Sequence, residues 1–117
     1  MKILWKDQPE EHDYPAAESY LSLIMTQMAA ESTVELLRRA PMAEFKAKDI
    51  LRASGLPVLD VTNKHVKKDR NKATYGEKLS PILLYRMVQR LIIADGYHRL
   101  CAAYEIDEDA LIPCKIV

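Results

Sequence analysis

The stretch Ile92-Ile93-Ala94-Asp95-Gly96-Tyr97-His98-Arg99 places an apolar run, one glycine and two polar cations in direct succession. Such an order predicts a buried strand, a tight turn and the start of a helix. Gly96 carries no side chain, so a ligand could approach the backbone closely there. The first amides of the helix have no partners within it. Together with the helix dipole they favour an anion at that end. His98 and Arg99 fall in the first turn, and a guanidinium can grip phosphate or carboxylate through two parallel hydrogen bonds. The dipole contributes about 0.3–1 kcal/mol. Each charge-assisted bond adds about 1.5–3 kcal/mol. The sum corresponds to a phosphate site of millimolar to micromolar strength. The plainer reading of the same residues is a helix capped by Asp95, a locally bonded His98 and a solvated Arg99.

A second set of cations lies upstream, in His65-Val66-Lys67-Lys68-Asp69-Arg70-Asn71-Lys72. His65, Lys68 and Lys72 share one stripe of a helix. A charge run of this kind is usually a solvated face, and that is the plainer reading of the stripe; the other reading is that one of these cations, such as Lys68, meets a bound anion. Asp95 could hold a divalent ion beside phosphates or take a proton from a substrate hydroxyl. Asp60 and Asn63 could also bind Mg²⁺, but turn formation explains Asn63 as well. Cys101 and Cys114 are too few and too far apart for a metal knuckle or a disulfide framework. Tyr97 and Cys101 lie one turn apart on the helix that follows Gly96, and Cys101 reads as a small buried hydrophobe.

These side chains need elements to position them. The chain has only three glycines, and the first 54 residues have none. Those residues are rich in helix formers. A first helix is expected from Pro15, with Ala17, Tyr20, Leu21, Ile24 and Met28 on one face. A second is expected from the capping box Ser32-Thr33-Val34-Glu35 to just before Pro41. A third should span about Phe45 to Ser54, stopped by Gly55. The second half reads as β-α-β-β-α-β: a strand at Val58–Val61, a polar helix from His65 to Thr74, strands at Ile82–Arg86 and Leu91–Ala94, a helix from Gly96 to Ile106, and a strand at Leu111–Val117. Pro113 should put that last strand at an edge or a bulge.

The length of 117 residues fits one domain, with 1–55 as a helical N-terminal extension and 56–117 as an α+β core. Hydrophobic residues are 49% and charged residues 29%, a composition that folds. The 17 Lys/Arg and 17 Asp/Glu balance. A zero sum argues against a protein whose main task is gripping nucleic acid or an anionic membrane. No apolar run is long enough for a membrane span, and Met1 to Asp7 shows no secretory pattern, so a cytoplasmic location is expected.

The turn Asp95-Gly96-Tyr97-His98-Arg99, the Ala-rich helix through Ala102-Ala103-Tyr104 and the final Ile112-Pro113-Cys114-Lys115-Ile116-Val117 resemble the ParB/sulfiredoxin superfamily. The resemblance covers about residues 56–117. It implies an α+β fold with a small mixed sheet, and a turn that binds the phosphates of ATP, ADP or CTP with Mg²⁺. It assigns the phosphate contacts to Gly96, His98 and Arg99, beside Asp95, Tyr97 and, on the second wall, Lys68. Hydrolysis or phosphoryl transfer are the reactions it brings into view. Tyr97 stands where sulfiredoxins carry their catalytic cysteine, so sulfinic acid reduction is not expected. The helix-turn-helix of ParB proteins has no counterpart, so DNA binding by this chain alone is not expected. The alternative is a regulatory protein that keeps the fold without the chemistry, meeting a second copy or another protein through the N-terminal helices.

Overall fold

In the computed structural model, which describes residues 1–117, the chain runs α1 (Asp13–Leu21), α2 (Gln27–Arg39), β1 (Ala43–Lys46), α3 (Ala47–Ser54), α4 (Lys64–Thr74), β2 (Ile82–Arg86), β3 (Leu91–Asp95), α5 (Tyr97–Ile106) and β4 (Leu111–Ile116). The result is a mixed α+β fold: five helices and one four-stranded sheet in the order β1-β4-β2-β3. β2 and β4 run parallel, and the other two pairings are antiparallel. No helix is long and apolar enough to cross a membrane.

Helices cover both faces of this sheet, which explains the unbroken apolar runs Ile82–Leu84 in β2 and Leu91–Ala94 in β3. Ile82, Leu84, Ile93, Ile112 and Cys114 join Ile50, Leu51, Val66, Leu100 and Cys101 in one core. Leu83, Ile92 and Ala94 point the other way and pack with Tyr14, Ala17, Leu21, Val34 and Leu37 of α1 and α2. Each fully buried Leu or Ile contributes about 1.5–3 kcal/mol. The alternation along β2 therefore decides which helix meets which face.

The first 55 residues are not purely a helical extension. β1 is an edge strand of the sheet, and α3 packs into the same core as α5. Ile3 joins that core, and Trp5 bridges to Leu79. β1 replaces the expected start of the third helix at Phe45. Its four residues are mostly exposed and gain their form from pairing with β4. The second helix starts at Gln27, where the Thr26 hydroxyl accepts from the Ala29 amide at 3.2 Å. Ser32 to Glu35 lies inside it, so the capping-box pattern there caps nothing. α1 closes at Leu21, which leaves Ile24 and Met28 off its face.

Val58–Val61 forms no strand. Asp60 accepts from the Thr62 amide at 2.9 Å, and Asn63 then caps α4 through the His65 and Val66 amides. These local bonds turn the chain before it can extend. β4 lies inside the sheet, not at an edge. Pro113 is opposite Glu44 of β1, and pairing with β2 begins only at Cys114. The proline thus occupies a position with a strand on one side only, where its missing donor costs least.

Candidate functional site

β3 delivers Asp95 to the end of the sheet, and Gly96 turns the chain into α5 at φ +109°. The reason for a glycine is internal. A Cβ here would lie 2.8 Å from Ile82 Cβ and closer still to its Cγ2. The absent side chain makes room for β2 beneath the turn, not for a ligand above it. Asp95 does not cap α5, which has no side-chain cap bond.

Asp95 is used by Arg99 instead. Arg99 Nη2 donates to Asp95 Oδ2 at 2.9 Å, and Nε donates to the Ser80 carbonyl at 2.9 Å. Asp13 Oδ2 lies 3.8 Å from the same Nη2. Asp13 is almost fully buried. It accepts from the Ser80 hydroxyl and, at 3.1 Å, from the Glu10 amide. The expected bidentate grip of Arg99 on phosphate is thus not its posture here: the guanidinium braces α1, β2 and β3 under the turn. Burial pushes the Asp95 carboxyl above its ordinary range; Arg99 opposes that, and Asp13 adds to it.

A polar cavity of about 180 Å³ opens beside this brace. Asp95, Gly96, Tyr97, His98 and Arg99 line one side, and His65, Lys68, Asp69 and Lys72 of α4 line the other. All six residues singled out in the sequence meet here, with His65 and Lys72 of the upstream stripe. The His65 and His98 rings stand 4.9 Å apart. Burial pushes the His98 imidazole below its ordinary value, His65 and Arg99 push the same way, and Asp69 pulls against them. Burial also raises Asp69. Asp69 forms no ion pair, so it is the cavity's uncommitted carboxylate, Asp95 being held by Arg99. Tyr97 faces elsewhere with its hydroxyl, which donates to the Pro57 carbonyl and pins the loop before α4.

Sequence reasoning missed Asp69, Asp13 and Ser80. Asp69 had a readable signal, since it lies four residues after His65 and three before Lys72. Asp13 and Ser80 had none, because 67 positions separate them. Asp60 is exposed, bonded to the Thr62 hydroxyl and amide, and lines a different depression with Tyr104 and Glu105. No three His, Cys, Asp or Glu side chains are grouped so as to hold a metal ion. Both cysteines are buried, and burial raises both thiols, Cys114 to about 11.

No family model matches this chain, and neither a curated protein nor a solved structure matches it.

Proposed function

We propose that this chain is a ParB/sulfiredoxin-like nucleotide-binding protein that takes the phosphates of ATP, ADP or CTP between α4 and α5. The observation that carries the reading is the meeting of Lys68, Lys72, His65 and His98 with the α5 N-terminus around one small polar cavity. A volume of about 180 Å³ is below the usual range for a whole drug-sized ligand. It suits the phosphate end alone, with sugar and base outside. Lys68 and Lys72 neutralise the charge, the first α5 amides donate along the dipole, and His98 donates from a ring nitrogen. Arg99 acts as a positioning residue that holds the turn in shape. A Mg²⁺ accompanying the nucleotide would be held by Asp69, the carboxylate that no ion pair commits, and would supply neutralisation of phosphate charge; this ion commonly uses few protein carboxylates. Asp69 is also the group placed to take a proton from water or an acceptor hydroxyl, should hydrolysis or phosphoryl transfer follow binding. Neither cysteine is disposed for sulfinic acid chemistry, since a buried, raised thiol is a poor nucleophile.

Thermal shift with ATP, ADP and CTP plus Mg²⁺, set against the free nucleosides, tests this reading. Stabilisation by the phosphorylated forms alone is expected, about 2.7 kcal/mol at one hundred times Kd. Equal curves with and without every nucleotide would overturn it.

A second reading, a non-catalytic regulatory protein, is favoured by the apolar corner between α1 and α2. Leu23 and Met28 are 81% and 79% exposed there. It predicts self-association or a protein partner through that corner and no turnover of any nucleotide.

A further inference from the structure

The chain's zero net charge conceals a strong local imbalance. Residues 64–78 hold six of the 17 Lys/Arg but two of the 17 Asp/Glu. Ion pairing does not cancel it. Lys64, Lys67, Lys68, Lys72 and Lys78 take part in no salt bridge, whereas eight of the other twelve Lys/Arg do. The outer side of α4 therefore carries a track of free cations on an otherwise acidic body.

That track has a shape. Lys64, Lys67, Lys68, Asn71 and Lys72 line a shallow depression of about 420 Å³ that ends at Tyr75, with Glu77 its one acid. From Lys64 to Tyr75 the helix rises about 16 Å. Tyr75 is 81% exposed, so its ring is held in water at the end of the track. Cations along a backbone path with an accessible aromatic face are the two parts by which proteins hold unpaired nucleotides. An acidic peptide would use the lysines and ignore the ring. A membrane surface would need further apolar side chains beside the lysines, and this depression has none.

We propose that the outer face of α4 binds single-stranded nucleic acid, with Lys64, Lys67, Lys68 and Lys72 on phosphates and Tyr75 stacked on a base. The proposal shares Lys68 and Lys72 with the nucleotide reading but needs neither His98 nor the α5 turn, and Lys64, Lys67 and Tyr75 lie outside that cavity.

Fluorescence anisotropy of labelled dT20 and U20, read from 25 to 200 mM NaCl, tests it. The expected slope of log K against log salt is about −3, from some four contacts at about −0.7 each. Lys64→Ala/Lys67→Ala should reduce the slope by about 1.4. Tyr75→Ala should weaken binding about five-fold or more without changing the slope, and Tyr75→Phe should restore it. These side chains are exposed, so wild-type thermal unfolding of each variant confirms an intact fold. No binding at 50 mM NaCl, an unchanged affinity in Tyr75→Ala, a duplex bound as tightly as the single strand, or equal competition by polyglutamate would each overturn the proposal.

Discussion

Arg99 Nη2 lies 2.9 Å from Asp95 Oδ2, four residues back across the Gly96 turn, while its Nε holds the Ser80 carbonyl at 2.9 Å. This one side chain links the end of β3 to the start of β2, and through Asp13 to the start of α1. The sequence motif reads as ligand chemistry, and in the folded chain its guanidinium serves the scaffold.

Removing Arg99 should therefore cost stability before it costs affinity. Arg99→Ala leaves the buried Asp13 and the half-buried Asp95 without their cation, a loss of about 3 kcal/mol. Arg99→Lys should recover little, because an ammonium cannot reproduce the fork. Urea unfolding at pH 7 checks this; a midpoint equal to that of wild type would show that the brace contributes nothing.

Gly96→Ala combines a strained φ with a clash on Ile82 and should destabilise by about 3 kcal/mol. Ile82→Ala removes Cγ2, the nearer of the two obstructing atoms, and leaves Cβ in place. The double variant Gly96→Ala/Ile82→Ala should then lose less than the two single losses added together. Strict additivity in a double-mutant cycle would argue that backbone strain alone makes this a glycine position.

Much of the frame was readable from local pattern. The apolar runs at 82–86 and 91–94 announced buried strands, and Gly55 announced the end of α3. The Gly96 turn and the cationic stripe line one cavity, but the stripe's own pattern reads first as a solvated face, and its place opposite the turn comes only from the family resemblance. What escaped depended on distant partners. β1 is four residues whose strand form comes from β4, about 68 positions away. Asp13 opens α1, two residues before the expected start at Pro15, and its burial against Ser80 and Arg99 has no local sign. Ser32 to Glu35 shows the opposite failure, a valid capping pattern placed in mid-helix because α2 had already begun at Gln27.

Burial raises Asp69 above its ordinary 3.8. The folded chain then holds that proton more tightly than the unfolded chain. The stabilising contribution is complete below the unfolded pKa and is lost as pH rises through the folded one. Asp69→Asn should accordingly raise the melting temperature at pH 7 to 8, with the advantage shrinking toward pH 4. A variant less stable than wild type at neutral pH would contradict the dominance of burial.

His98 has the opposite character. Burial holds it below 6.5, so the folded chain favours the neutral ring, and this contribution fades as pH falls from 6.5 through the folded pKa. A bound phosphate would reverse that preference. Nucleotide affinity should thus rise as pH falls from 8 to 6 more steeply in wild type than in His98→Gln. Parallel pH profiles would remove His98 from the contacts.

Cys101 and Cys114, both buried and raised, should resist an aromatic disulfide reagent in native buffer and react as two thiols in urea. Rapid native reaction of either would reopen thiol chemistry.

The most direct test of the anion cavity is calorimetric titration of wild type and Lys68→Ala/Lys72→Ala with ATP, ADP, CTP and inorganic tripolyphosphate, each with Mg²⁺. Both lysines lie on the cavity wall and neither is ion-paired, so the fold should survive. The account predicts that wild type binds at least one nucleotide and that the double variant binds it about ten-fold or more weakly. Absence of binding by wild type at millimolar ligand, or equal affinity in both proteins, would contradict it.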